Sequence, residues 1–375
     1  MSGISLFYFP ASDGTVLLDN ENRYRNRQYE DMEEGKLDMH LRKQSYWVLI
    51  ALLSLALILS ACSGSKNNGA SNTAPSDEAE QSSNTTSASA FPRTIEAANG
   101  KIEIAKKPER VAVVHWGYAD SILLFDLKSA ALALPFTEKS SALHTDSYKP
   151  YVDKLGELVI VGENTTVNME ALLSYKPDLI IAGNAINAEI TDQLEKIATT
   201  VVIDEAVTDI WSNWQALVTK FGDILGQEDV AKQYIDNYNA NLQTAKEKLA
   251  KVEGTVAFIQ VRNNAVWLGG TKYLTQYYGS GLGLKAPTDP AMEEGVELSL
   301  EGLSKLNPDH LFLGYFNYVD KSLPAMTDDW EKSAVWNSLN AVKNKQAYAI
   351  NGELAMGYGP IGNSYGVQAV LEALE

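Results

Sequence analysis

From Phe91 onward the chain alternates between two hydrophobic rhythms. Short apolar runs at Val111–Val114, Leu158–Val161, Leu179–Ala182 and Thr200–Ile203 predict buried strands. Helical stretches, Ala119–Leu127 and Ile190–Ala198, lie between them. Strands alternating with helices predict a parallel sheet covered on both faces. The rhythm then changes. Asp209 to Lys251 reads as helix interrupted only at Gly222 and Gly226, with Ala231, Ile235, Tyr238 and Leu242 at helical spacing. A helix of about 24 residues reaches about 36 Å, enough to pass from one domain to another. Strands resume at Val256–Val261, and Arg262-Asn263-Asn264-Ala265 predicts a hairpin into Val266-Trp267-Leu268. Tyr273–Tyr278 predicts a helix closed by Gly279, Gly281 and Gly283. His310–Leu313 predicts a strand, and an amphipathic helix near Ser364–Leu374 closes the chain.

One unit in this pattern occurs twice. Glu170-Ala-Leu-Leu-Ser-Tyr-Lys-Pro-Asp-Leu-Ile-Ile returns 131 positions later as Glu301-Gly-Leu-Ser-Lys-Leu-Asn-Pro-Asp-His-Leu-Phe. Glu170 and Glu301 each stand seven residues before a Pro-Asp pair, Pro177-Asp178 and Pro308-Asp309. Leu172 and Leu303 also match. In each copy a short helix turns apolar residues inward, the proline ends it, and a buried strand begins. Two copies and no more predict two similar lobes rather than a solenoid.

The N-terminal part has a different character. Residues 1–38 are polar and irregular. His40-Leu41-Arg42-Lys43 is basic, Trp47–Leu59 is almost wholly apolar, and Leu59-Ser60-Ala61-Cys62 follows. A basic start, a short apolar run and small residues describe a secretory signal, and the run is short for a membrane span of about 20 residues. Leu-Ser-Ala-Cys resembles the bacterial lipobox, which implies a diacylglyceryl group on Cys62 and a signal peptide over 39–61. Because signal peptides open on their basic region, Met39 is the expected start and 1–38 an extension of mistaken or disordered character. Ser63 to Ala90 is Ser, Asn, Ala, Thr and Gly with almost nothing large, so 62–90 reads as a flexible tether.

The formal charge of −17 argues against nucleic acid or an anionic membrane surface as the main partner. Cys62 is the single cysteine, so no internal disulfide can form. Gly362-Asn363-Ser364-Tyr365-Gly366 fits the nucleophile elbow of hydrolases, but that fold needs an acid and then a histidine later in the chain, and no histidine follows His310. Gly279-Ser280-Gly281-Leu282-Gly283 lacks dinucleotide spacing. An enzyme is not expected.

The lipobox, the Ser/Asn tether, the Pro-Glu-Arg-Val opening at Pro108, the Asn-Met-Glu…Lys-Pro-Asp-Leu-Ile-Ile unit, the helical crossover and the Ser-Leu-Glu…Asn-Pro-Asp unit occur in that order. This resembles the iron-siderophore-binding lipoproteins of bacterial ABC importers, from Leu59 to the end. The resemblance implies the class III periplasmic-binding-protein fold: α/β, two Rossmann-like lobes with mainly parallel sheets joined by one long helix. The corresponding division is an N-terminal lobe at 91–226, a linker helix at 227–252 and a C-terminal lobe at 253–375. It also implies a monomer, lipid-anchored on the extracytoplasmic face of the cell membrane, that hands an Fe(III)-siderophore to an ABC permease dimer and its ATPase subunits. One surface glutamate per lobe, matched here by Glu170 and Glu301, docks on that permease.

Ligands of open parallel sheets gather beyond the strands' carboxyl ends. That places His115, Trp116, Tyr118, Asn184, Arg262, Trp267, Tyr315, Phe316 and Tyr318 at the expected cleft. A ferric siderophore brings its own oxygen ligands, so the protein supplies aromatic surface and one or two cations or donors. Arg262 is the only arginine after Arg110, which disfavours a highly anionic citrate-type ligand and favours a hydroxamate. The alternative is haem, with His115 as ligand, or cobalamin on the same fold. His115, His144 and His310 form no spaced metal-ligand cluster.

Overall fold

Val111 and Val113 face one way along their strand and Ala112 and Val114 the other, and all four are buried, as a strand covered on both sides requires. The computed structural model describes residues 91–375 apart from Phe136, Lys139, Ser140 and Trp211, and these lie in one compact unit, Ser87–Glu375. The proposed leader, the tether and Cys62 lie outside the described residues. An antiparallel hairpin, β1 (Arg93–Ala97) and β2 (Gly100–Ile104), precedes the first sheet.

The first sheet holds β3 (Arg110–Val113), β4 (Ser129–Leu134), β5 (Glu157–Glu163), β6 (Thr166–Val167), β7 (Leu179–Gly183) and β8 (Thr199–Ile203), in the order β6-β5-β4-β3-β7-β8. All pairs are parallel except β5 with β6. One face packs on α1 (Ala119–Ile122), through Ile122, and the other on α2 (Met169–Tyr175), through Leu172 and Tyr175. Next come α3 (Trp214–Leu225) and α4 (Glu228–Leu249), the latter 22 residues and about 33 Å long. The second sheet holds β9 (Val256–Val261), β10 (Val266–Gly269), β11 (Gly295–Glu297), β12 (His310–Tyr315) and β13 (Ala347–Asn351), in the order β11-β10-β9-β12-β13. α5 (Leu300–Leu306) leads into β12, and α6 (Gly352–Ala355) and α7 (Pro360–Leu374) follow β13.

The strand orders β5-β4-β3-β7-β8 and β11-β10-β9-β12-β13 are the same series, so the short sequence echo marks a whole-lobe repeat. The lobes differ in one direction: β10 runs antiparallel to β9, through the hairpin in which Arg262 N donates to Ala265 O at 3.0 Å. The chain is thus α/β with two lobes and one long connecting helix.

The repeated residues have equivalent places. Asn168 and Ser299 cap α2 and α5 by accepting from Ala171 N and Gly302 N, at 3.0 and 3.1 Å. Lys176 and Asn307 end the helices in the left-handed region, at φ 54° and 40°. Asp178 accepts from Glu109 N and Arg110 N at the start of β3. Asp309 accepts from Thr255 N and Thr255 Oγ1 at the start of β9. Each Pro-Asp aspartate therefore clips its strand to the central strand of its own lobe.

Several predicted elements differ. Only Ala119–Ile122 of Ala119–Leu127 is α-helical, and Ile190–Ala198 reduces to a 3₁₀ turn at Ala188–Ile190 and Thr191–Leu194. Tyr273–Tyr278 is a series of turns: Leu274, Tyr277 and Tyr278 are all buried, with Tyr277 stacked on Phe258 at 4.2 Å, so packing rather than helical spacing fixes this stretch. β4, Ser-Ala-Ala-Leu-Ala-Leu, and β13 are strands the pattern does not announce. β4's residues favour helix, but burial at all six positions overrides propensity. Gly222 does not interrupt its helix; it lets α4 approach, since a Cβ there would lie 2.9 Å from Ala231 Cβ. Gly226 ends α3 at φ 66°. The Gly-x-Ser-x-Gly match lies within α7 and follows no strand.

Candidate functional site

The N-terminal lobe reverses its strand order between β3 and β7, and the segments beyond those strands meet there. His115 follows β3 and is buried at 2% exposure. Its Nδ1 accepts from Gly117 N at 3.0 Å, so in the neutral ring the proton sits on Nε2, which lies 3.4 Å from Glu205 Oε2. Glu205, beyond β8, also accepts from Ala185 N and Ile186 N at 2.7 and 3.0 Å. Burial favours its neutral form, but the bonds from His115 and the two amides together hold the carboxyl below its usual range. This pair ties together the segments after β3, β7 and β8. Gly183 makes the space: a Cβ there would lie 2.2 Å from Glu205 Oε1. Tyr118 is fully buried, stacked on His115 at 3.9 Å. Trp116 is half-buried, and Asn184 is exposed, bonded to Asp204 and Glu205 N.

On the C-terminal side Gln260, Arg262 and Trp267 share one face of the sheet, because Trp267 pairs directly with Gln260. Arg262 Nη2 donates to Gln260 Oε1 at 3.3 Å, and the guanidinium lies 4.5 Å above the Phe316 ring. Gly314 pairs with Gln260 and is bare on that face, so α6 can lie against the strand; a Cβ would lie 3.1 Å from Gly352 Cα. This brings Glu353 to the same edge. Burial pushes its carboxyl up to about 7, against the opposing pull of Arg262. Tyr315 is buried and donates to Glu331 at 3.0 Å, whereas Tyr318 is exposed. Lys321 lies 4.2 and 4.9 Å from the Tyr315 and Tyr318 rings, and burial lowers its pKa.

The lobes are joined near this edge. Asp120, in α1, is buried and accepts from Ile361 N at 2.9 Å and Gly362 N at 3.1 Å, in the first turn of α7. Tyr148 Oη donates to the same carboxylate at 2.8 Å. An acid of one lobe thus caps the last helix of the other. Gly359, at φ 92°, leaves room for it. Burial raises the Asp120 pKa to about 6, the three hydrogen bonds opposing. Trp116 meets Tyr358 edge-on at 5.1 Å, and Tyr234 of α4 bonds Pro360 O and Ser364.

Glu170 and Glu301 are both exposed in the first turns of α2 and α5. Asn168 N donates to Val161 O near the end of β5, and Leu298 N donates to Val266 O beside the end of β9. Both helices therefore start at the carboxyl-end edge of their sheets, the edge that carries the residues above. Among the described residues no group of three or more His, Cys, Asp or Glu side chains is placed to hold a metal ion. Sequence reasoning missed Asp120, Glu205 and Glu353. Each acquires its setting from a partner far away in sequence, and no local spacing marks it.

Comparison with known proteins agrees with this architecture. The periplasmic binding protein family model matches residues 111–354. The iron-uptake system-binding protein of Bacillus subtilis is 29% identical over 315 residues, covering 82% of this chain and 90% of its own. The iron(3+)-hydroxamate-binding protein YxeB of the same organism is 27% identical over 346 residues, covering 88% and 97%. The crystal structure of the B. subtilis triscatecholate siderophore-binding protein FeuA, complexed with ferri-bacillibactin, superposes with a TM-score of 0.57 at 26% identity, covering 75% of this chain and 98% of that one. The chain, with its two lobes and shared carboxyl-end edge, belongs to the periplasmic binding protein family, whose members bind solutes and are not enzymes.

Proposed function

We propose that this protein is the extracytoplasmic binding component of an ABC importer, capturing a ferric siderophore between its lobes and delivering it to the permease. The observation that carries the reading is the pairing of Trp116 and Tyr358 across the lobes with an aromatic and cationic face, Arg262, Phe316 and Trp267, at the same edge. That surface suits an amphipathic shell whose iron is already ligated. The functions for which the relatives are named, iron uptake and ferric hydroxamate binding, support the class of ligand. A single arginine at this edge favours a hydroxamate over a citrate-type complex.

Cys62, carrying a diacylglyceryl group, anchors the protein to the outer face of the cell membrane through the tether at 62–90. Glu170 and Glu301 are the docking acids for the permease dimer, whose ATPase subunits drive release. The long helix α4 resists hinging, so lobe closure on binding is small.

Trp116 and Trp267 make intrinsic fluorescence a direct test. Titration with ferric hydroxamates, ferric catecholates, ferric citrate siderophores, haem and cobalamin is expected to give saturable quenching with a ferric hydroxamate. Saturation by haem or cobalamin alone overturns the reading in favour of another cargo on the same fold.

A further inference from the structure

The chain crosses from one lobe to the other once, through α4. A single rod leaves two bodies free to swing and twist about its ends, so a second tie decides how far apart they stand. That tie is the turn at 358–364, on which both lobes and the linker converge. From the N-terminal lobe, Asp120 accepts from Ile361 N at 2.9 Å and Gly362 N at 3.1 Å. Tyr148 Oη, of the same lobe, donates to that carboxylate at 2.8 Å and holds it in place. From the linker, Tyr234 Oη donates to Pro360 O at 3.0 Å and lies 2.9 Å from Ser364 Oγ. Within the turn, Asn363 Nδ2 donates to Gly359 O at 2.6 Å. Gly359, Pro360, Ile361, Gly362 and Asn363 are all buried, and Asp120 is 4% exposed.

Both ends of this junction lead into the cleft. Trp116 stands four residues before Asp120, and Tyr358 two before Pro360. Their rings meet edge-on at 5.1 Å, and both residues are half-buried. Gly359 lies between ring and cap at φ 92°, where a Cβ would be 2.7 Å from Asp120 Cγ. Asp120 itself is closed in beneath the turn and does not face the cargo. Resting on the reading that a ferric siderophore binds between the lobes, we infer that Asp120 is a positioning residue for that binding. Its clamp on the first turn of α7 fixes the spacing of the lobes and holds Tyr358 against Trp116, so the cleft is formed before the cargo arrives. Hydrogen bonds to a carboxylate in a buried site are strong and directional. The lobes therefore keep one spacing when empty, and binding need not first gather them from many.

The test reads the lobe spacing and the binding rates separately, on the full chain at pH 8. Spin labels on Lys196→Cys and Lys343→Cys, exposed sites of the two lobes, in a Cys62→Ser background report the inter-lobe distance without cargo. Stopped-flow tryptophan fluorescence with a ferric trishydroxamate gives association and dissociation rates for the unlabelled proteins. With Asp120 intact, one narrow distance distribution is expected. Asp120→Ala is expected to broaden it and to slow association about tenfold, as a spacing held by about one molecule in ten requires, with dissociation little changed. Asp120→Asn, which keeps an acceptor for Ile361 N, recovers part of both effects. Tyr234→Phe, which cuts the linker's bonds to the same turn, gives a milder form of the alanine result. These two variants carry the test if Asp120→Ala does not fold. Distances and association rates that stay at wild-type values in both overturn the proposal, even where stability falls. Faster dissociation with unchanged association gives Asp120 a direct contact with cargo and overturns it as well. Failure of wild type to bind the trishydroxamate, with distances that still broaden in Asp120→Asn, overturns the hydroxamate reading and leaves the junction standing.

Discussion

Asp120 links the two lobes, and its replacement by asparagine gives a measurement with a definite sign. The carboxyl is buried, and its pKa is raised from 3.8 to about 6. The native state therefore binds a proton that the unfolded chain has largely lost by pH 5. Stability from this group is fully present below the unfolded value and declines as pH rises through about 6. At about 1.36 kcal/mol for each tenfold change in acidity, the decline from pH 4 to pH 7 is about 2–3 kcal/mol. Asp120→Asn keeps the shape and one acceptor but has no titration. The stability of wild type relative to the variant should then fall by about 2–3 kcal/mol over that interval, or about 5 °C in the difference of Tm values. Urea unfolding at half-unit pH steps measures it directly. Parallel stability curves for the two proteins would refute the assignment of a raised pKa to an inter-lobe cap. Asp120→Ala, which strips the acceptor from Ile361 N, Gly362 N and Tyr148 Oη together, should cost about 3–5 kcal/mol.

Other expectations follow from single contacts. Glu205→Gln should destabilise by about 1–3 kcal/mol at pH 7; since the carboxyl is held below its usual range, the deficit should shrink as pH falls below about 4.5, in the same unfolding assay. Gly366→Ala places a Cβ 1.9 Å from Tyr277 Oη, which donates to Ala355 O, and should lower stability by about 1–3 kcal/mol. Glu170→Ala with Glu301→Ala should abolish ferric siderophore uptake by cells while the purified protein keeps its affinity. Loss of affinity in that pair would move both acids from permease docking to the cleft.

What could be read from the chain depended on how local the cause was. The β-branched strands and the Pro-Asp units are local, and α2, α5, β7 and β12 follow from them. The echo and the alternation announced two similar lobes, while the strand order they share is visible only in the structure. β4 was hidden because burial, not propensity, makes it a strand, and β13 because Ala-Tyr-Ala-Ile-Asn, buried only at Ile350 and Asn351, has no apolar run to mark it. Tyr273–Tyr278 was misread because its aromatic residues pack in several directions rather than along one helical face. The site divides in the same way. Arg262, Trp267 and Phe316 were legible as residues around strand ends, and the structure places them on one face. His115, Tyr118 and Tyr315 occupy equivalent strand-end positions but are buried, with Glu205, Phe221 and Glu331 as neighbours. The acids that organise the edge were invisible: Asp120 meets its partners 241 and 242 residues later, and Glu353 sits on α6, which lies against β12 where Gly314 has no side chain.

The reversed direction of β10 bears on how such a receptor changes its preference. A tight Asn263-Asn264 turn replaces a long segment at that edge, so beyond the end of β12 the second half gathers exposed apolar side chains in residues 316–326. That stretch contains Tyr318, Val319, Leu323 and Met326, all exposed, and is tied back by Met326 N to Arg262 O at 2.8 Å. These eleven residues lie past the paired registers of β12 with β9 and β13, so side-chain changes among them leave the ladder of the sheet beneath untouched.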